Sequence, residues 1–191
     1  MEIAVIRHLP TSWNHKGYLQ GKRDISVSFP LSEQIRGKIQ QNRELLSERE
    51  PFDGIFASAL KRTQQTALLY GYRTPVITSL LNELDFGWYE GKPKKSLDTD
   101  FQAIWRREPL RLEFGESLID FQQRIFQFVE SYIHLRNILI FGHGSWIRAL
   151  LSLEKTGNIN NMNELSVDNN ECVFLSIDKE QIDCWKNGGQ R

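Results

Sequence analysis

Two cysteines among 191 residues cannot build a disulfide framework. Cys172 and Cys184 fall in neighbouring expected strands, and a hairpin turning near Asp178 to Glu180 would not set them opposite each other. Both are expected as free thiols in a reducing compartment. Charge of one sign is missing too: Lys+Arg and Asp+Glu each number 24, a balance that advertises neither a nucleic-acid nor a membrane surface. No apolar run approaches the ~18 residues of a membrane span, and no signal peptide precedes the first expected strand. These absences predict a cytoplasmic protein with no nucleic-acid or membrane partner. Repeats, low-complexity tracts and dividing linkers are also lacking, so a single domain over 1–191 is expected, long enough to bury a sizeable core.

What is present is an alternation of short apolar runs with amphipathic segments. Ile3 to Ile6 carry no polar alternation, which suits a strand buried on both faces of a parallel sheet. Gly54 to Ala57, Pro75 to Thr78 and Ile138 to Phe141 read as further strands. Ser32 as N-cap opens a helix to about Glu48 with Ile35, Ile39, Leu45 and Leu46 on its stripe. Ser58 is read as the cap of a second helix to about Tyr70, with Leu60, Ala67 and Leu68 inward. Gly115 opens the clearest helix, carrying Leu118, Phe121, Ile125, Phe128, Val129, Tyr132 and Ile133, and a further helix runs from Ser145 to about Leu153. Val173 to Ile177 and Gln181 to Trp185 are expected to close the chain as a hairpin. The alternation predicts an α/β fold of three layers, α/β/α, around a mostly parallel central sheet. Thr11 to Pro30 is long for a structureless connection and reads as a functional loop. Leu80 to Pro93 reads as an ordered loop, and the basic stretch Lys94 to Arg111 as short helix and loop within a segment, 91–114, that covers the site.

Three strand ends carry polar residues of one type: Arg7-His8, Ser58 with Arg62 a turn later, and His143-Gly144. A parallel sheet gathers such ends on one edge, where open α/β sheets place their ligand crevice. Two arginines and two histidines there suit a dianion, because guanidinium forks match phosphate oxygens and histidine donates to the same group. Gly144 permits close backbone approach beside the start of a helix.

Arg7-His8-Leu9-Pro10-Thr11-Ser12-Trp13-Asn14 resembles the Arg-His-Gly-Glu-Thr-x-Trp-Asn signature of the histidine phosphatase superfamily, the phosphoglycerate mutase-like fold. Gln20-Gly21 with Asp24, Ser58 to Ala67, Asn82 to Gly91, Gly115-Glu116-Ser117 and Gly142-His143-Gly144 resemble its further motifs, in the same order. The resemblance covers about residues 2 to 153. It implies a nucleophile at His8, phosphate binding by Arg7, Arg62, His143 and Gly144, with Asn14, Gln20 and Gly21 lining the same site, and a proton-transferring acid at Glu83. It implies hydrolysis of a small phosphate monoester through a phosphohistidine, with no metal and no cofactor. Leu9-Pro10 stands where the family commonly has Gly-Glu, so a glycine and a carboxylate beside the nucleophile are missing. A phosphomutase of the same chemistry is the second expectation. Glycolytic mutases of the family tend to carry a longer insertion ahead of the second histidine, which favours water as the acceptor here. A catalytically silent member that binds phosphate or a protein is the third, and the intact histidine and arginine pairs speak against it. Lys92, Lys94, Lys95, Arg106, Arg107 and Arg111 read first as a solvated face and second as a site for another anionic group.

Overall fold

The computed structural model describes residues 1–96 and 99–186. Its five strands form one sheet in the order β3-β2-β4-β1-β5. β1 (Glu2–Arg7), β2 (Gly54–Ser58), β3 (Val76–Thr78) and β4 (Asn137–Gly142) run parallel, and β5 (Cys172–Ser176) pairs antiparallel with β1. Register aligns the strand ends along one edge of the sheet. Arg7 lies opposite Gly142, and Ala57 lies opposite Phe141, so β1, β2 and β4 end level with one another.

Burial on both faces explains the unbroken apolar runs. Ile3 and Val5 of β1, Phe56 of β2 and Ile138 and Ile140 of β4 face one core. There they meet α5 (Leu118–Tyr132) and α6 (Gly144–Thr156) through Phe121, Ile125, Phe128, Trp146 and Leu150. Ala4, Ile6, Ala57, Leu139 and Phe141 face the opposite core, against α2 (Glu33–Ser47) and α3 (Lys61–Leu69). Each large apolar side chain buried this way contributes about 1.5–3 kcal/mol. The result is the expected three-layer α/β/α arrangement around a mostly parallel sheet. No helix among the described residues is long and apolar enough to cross a membrane.

Several local expectations are corrected. The closing hairpin is absent: β5 is followed by α7 (Lys179–Lys186), in which Ile182 and Trp185, three residues apart, are both buried and Trp185 stacks on Phe126 at 5.6 Å. Five residues were too few to separate period two from helical spacing. Cys172 on β5 and Cys184 on α7 form no disulfide. Ser58 does not cap α3, whose N-cap is Leu60 without a side-chain bond, because its hydroxyl is used elsewhere. Leu68 is exposed rather than inward. The clearest helix starts at Leu118 with Ser117 as its cap, not at Gly115. Between β1 and α2, the loop contains a short helix, α1 (Ser12–Lys16), closed by a capping box in which Thr11 and Asn14 bond each other reciprocally. The basic stretch holds α4 (Thr99–Arg107) and a following turn, as expected.

Candidate active site

The end of β1 places His8 beside β4, with its backbone N–H on the Gly142 carbonyl at 3.0 Å. The His8 ring is almost fully buried, and Nδ1 lies 2.7 Å from the Leu9 carbonyl oxygen. A carbonyl only accepts, so the proton sits on Nδ1 and Nε2 keeps its lone pair. Burial, then the charges of Arg62 and Arg7, hold the ring's pKa well below the ordinary 6.5. Leu9 occupies the family's glycine position without strain. Its φ lies outside the left-handed region, its N–H donates to Thr66 Oγ1 at 3.0 Å, and its side chain is wholly buried in the α2–α3 core.

His143, the residue after β4, is fully buried with its ring centroid 5.3 Å from that of His8. Arg62 Nε donates to His143 Nδ1 at 3.2 Å. Arginine has no acceptor, so the His143 proton is on Nε2 and points at Ser58 Oγ, 2.7 Å away. Ser58 Oγ also accepts from Leu60 N at 3.1 Å, which directs its own proton to Thr63 Oγ1 at 2.8 Å, and Thr63 Oγ1 donates to the Leu60 carbonyl at 2.8 Å. The protons along this chain of bonds are thus assigned, and the imidazole has one tautomer. Burial and the Arg62 charge push His143 well below 6.5 as well.

Arg62 itself is fully buried and donates to the carbonyls of Arg23 (2.7 Å) and Gly21 (2.8 Å). The loop ahead of α2 therefore wraps the guanidinium. At Gly21 the backbone is left-handed (φ 51°) and a Cβ would lie 1.9 Å from Glu90 Oε1, so only glycine fits. Burial pulls the Arg62 pKa down to about 10, opposed by Glu83, Asp24 and Glu90. It stays charged at neutral pH.

Glu83 is buried, its Oε1 accepting from Leu84 N at 3.0 Å and its Oε2 from Ser145 N at 3.1 Å. The loop that carries it is pinned by Arg124 of α5, which donates to the carbonyls of Leu80 (3.0 Å), Asn82 (2.7 Å) and Glu83 (3.1 Å). The same guanidinium grips Glu116 through Nε (3.0 Å) and Nη2 (2.9 Å). Glu116 Oε1 in turn accepts from Asp85 N at 2.8 Å.

These residues surround a cavity of about 440 Å³, lined by Arg7, His8, Asn14, Gln20, Gly21, Arg62, Glu83 and Gly144. Phe86, Trp105 and Phe114 make one apolar side, each ring edge-on to the next at 5.3 to 6.1 Å. Arg7 Nη1 donates to the Val167 carbonyl at 2.5 Å, while its buried Nε has no hydrogen-bond partner among the described residues. The guanidinium packs on Gly144, where a Cβ would approach Arg7 Cζ to 3.2 Å. Asn14 Oδ1 accepts from Thr11 N at 3.0 Å, leaving Nδ2 for the cavity, and Gln20 Oε1 faces the Thr11 hydroxyl at 2.9 Å.

The candidate catalytic and phosphate-binding residues named from the sequence meet at this edge, with one distinction. His143 stands behind Arg62 rather than on the cavity wall. Sequence reasoning missed Arg148, Arg124 and the segment 165–171; of the basic stretch, read first as a solvated face, Lys94 lines the cavity while Arg106 and Arg107 are exposed. The segment 165–171 accepts from Arg7 through Val167 and donates to the His8 carbonyl through Asn169 Nδ2 at 2.9 Å. Arg148 had a usable signal: it lies four residues after Gly144, one helical turn along the same face. The segment 165–171 had none, being irregular.

The fold and the polar edge define an α/β protein with two arginines and a carboxylate around a buried histidine at the carboxyl ends of its strands. The chain belongs to the histidine phosphatase superfamily, branch 1, whose profile matches residues 3–187. It is 30% identical over 94% of its length to a putative phosphoserine phosphatase 2 of Hydrogenobacter thermophilus, covering 91% of that protein. It is 28% identical to a 2,3-bisphosphoglycerate-dependent phosphoglycerate mutase of Chlamydia pneumoniae, covering 97% of this chain and 94% of that one. The alpha-ribazole phosphatase of Shigella flexneri superposes with a TM-score of 0.75 at 26% identity, over 94% of this chain and 92% of that one.

Proposed function

We propose that the chain is a metal-independent phosphatase that hydrolyses a small phosphate monoester through a phosphohistidine on His8. The observation that carries the reading is the tautomer of His8: Nδ1–H is tied to the Leu9 carbonyl, so Nε2 is a neutral nucleophile on a cavity that also exposes a carboxyl group. In the first step Nε2 attacks phosphorus, the P–O bond to the alcohol breaks, and Glu83 delivers a proton to the departing oxygen. In the second, Glu83 takes a proton from water, the resulting hydroxide attacks phosphorus, and the P–N bond breaks to release phosphate and restore His8.

Arg7, Arg62 and Asn14 meet the charge on the transferring oxygens. A phosphate oxygen at Arg7 Nε would satisfy a buried donor whose isolation otherwise costs about 1–3 kcal/mol. His143 orients Arg62 through Nδ1, and its one ring proton, on Nε2, is given to Ser58. Gly144 leaves the room that Arg7 occupies, and Gln20 and Gly21 fix the loop around Arg62. The segment 91–114 covers the site through Lys94, Trp105 and Phe114. Guanidinium charge takes the part a metal would otherwise play.

Phosphate release from p-nitrophenyl phosphate in the presence of a chelator, lost in His8→Ala, is the expected result. Glu83→Gln is expected to slow alkyl phosphates about 10²–10⁴-fold and p-nitrophenyl phosphate far less, because a good leaving group needs no proton. No release and no phosphate label on His8 from any ester would sink the reading. Conversion of 3-phosphoglycerate to 2-phosphoglycerate faster than its hydrolysis would replace it with a mutase, in keeping with the mutase relatives.

A further inference from the structure

Between α2, the end of α3 and the segment 165–171, three buried polar side chains form a cluster that the proposed chemistry leaves unused. Asn42 of α2 donates Nδ2 to the Tyr70 hydroxyl and to the Asn170 carbonyl, both at 2.8 Å. Tyr70, the residue that closes α3, donates its own proton to Asn170 Oδ1 at 2.5 Å. Burial pushes the Tyr70 phenol above its ordinary pKa, so it keeps the proton that it donates.

The cluster is an expensive way to fill a core. Asn170 is the only residue other than glycine with a left-handed backbone among the described residues, at φ 63°. Asn42 Oδ1 and Asn170 Nδ2 are buried with no hydrogen-bond partner among the described residues. Apolar side chains of similar shape would pack there without these penalties, so the arrangement points to a role at a neighbouring site.

That neighbour is the backbone around His8. Asn170 N donates to the Arg7 carbonyl at 3.0 Å, and Arg7 N donates to the Glu171 carbonyl at 3.1 Å. Asn169 Nδ2 holds the His8 carbonyl, and the Val167 carbonyl holds Arg7 Nη1. On the other flank, Leu9 N donates to Thr66 Oγ1, which donates to the Arg62 carbonyl at 2.6 Å. Arg62, Thr66 and Tyr70 stand at the start, the middle and the end of α3. One helix thus carries the Arg62 guanidinium at one end and, through Tyr70 and Asn170, fixes the Arg7 backbone from the other.

We propose that Asn170 is a positioning residue for Arg7 and His8, locked in its left-handed conformation by Tyr70 and Asn42. The lock sets the two arginines at their working separation before substrate arrives. The inference rests on the phosphatase reading and adds to it residues that touch neither substrate nor reacting atoms. Donors held in advance act most on the charge of the transition state, so loss of the lock falls on that state more than on bound phosphate.

Tyr70→Phe and Asn170→Gly each break the bond between the two side chains, and glycine keeps the left-handed backbone. At equal folded fraction, each is expected to lower kcat about tenfold and to raise the inhibition constant of orthovanadate by about as much, with that of inorganic phosphate little changed. The double variant is expected to lose no more than the worse single one, because both remove one bond. Tyr72→Phe is the control: its hydroxyl bonds Glu50 at 2.8 Å, outside the cluster, and wild-type kcat is expected. Reduced stability with kcat and vanadate inhibition unchanged would make the cluster mere packing and overturn the proposal. Losses that multiply in the double variant, or an equal loss in Tyr72→Phe, overturn it too. The His8 Nδ1–H signal in nitrogen NMR needs no turnover, and it is expected to shift in Tyr70→Phe and Asn170→Gly but not in Tyr72→Phe. If the wild type hydrolyses no ester, that shift upholds the positioning of His8 while the phosphatase reading fails, and an unmoved signal overturns both.

Discussion

At the scale of single residues, the departure at position 9 turns out to be a packing choice. Leu9 fills the core between β1 and α3 while its carbonyl still fixes the His8 tautomer. Leu9→Ala is therefore expected to cost about 2–5 kcal/mol in urea denaturation, the range for emptying a buried leucine site. Ser58 acts at the same scale but on chemistry. Ser58→Ala removes the acceptor of His143 Nε2–H and leaves that buried donor unpaired, while Arg62 Nε still keeps Nδ1 without a proton. We expect a stability loss of about 1–3 kcal/mol, a fall in kcat with KM little changed, and a shifted Nε2–H signal for His143, its tautomer unchanged, in nitrogen NMR. An Nε2–H signal that does not move in the variant would refute the role given to Ser58.

At the scale of elements, the acid loop is rigid because α5 holds it. Arg124 spans three loop carbonyls and Glu116, and Glu116 returns a bond to Asp85 N, so a helix and a loop remote in sequence form one body. The Arg124–Glu116 pair is mostly buried, with 15% and 12% of the two side chains exposed. Breaking such a pair leaves the partner charge behind, and Arg124→Met is expected to destabilise the fold by about 2–4 kcal/mol. Because the variant loosens Glu83 without removing it, its kcat for alkyl phosphates should fall more than its kcat for p-nitrophenyl phosphate. Equal losses on the two substrates would show that Arg124 serves stability alone.

Across the whole molecule, two buried imidazoles couple folding to pH. Both His8 and His143 have folded pKa values depressed well below the 6.5 they hold when unfolded, so in the window beneath 6.5 the unfolded chain binds more protons than the native one. Their contribution is complete above about pH 6.5 and is lost progressively as the pH falls below it. Denaturation midpoints should be level between about pH 7 and 8 and decline from about pH 6 downward. A His8→Asn, His143→Asn double variant should show a shallower decline between about pH 6.5 and 5. An undiminished decline in that variant would place the sensitivity on carboxylates instead.

The sequence by itself determined the sheet and the polar residues at its edge, because both are local. β-branched and apolar runs make buried strands wherever they fall, and a parallel sheet must gather their carboxyl ends. Arg7, His8, Arg62 and His143 were legible for that reason, and Glu83 through the motif around it. Only the tertiary structure decided what depends on distant chain segments. Ser58 became a partner of His143 when β2 and β4 came level, Arg124 an anchor when α5 crossed the acid loop, and the segment 165–171 a wall when β5 returned beside β1. The last strand's expected partner became α7 because Ile182 and Trp185 find the core from a helix, a preference that five residues do not express until there is a core to find.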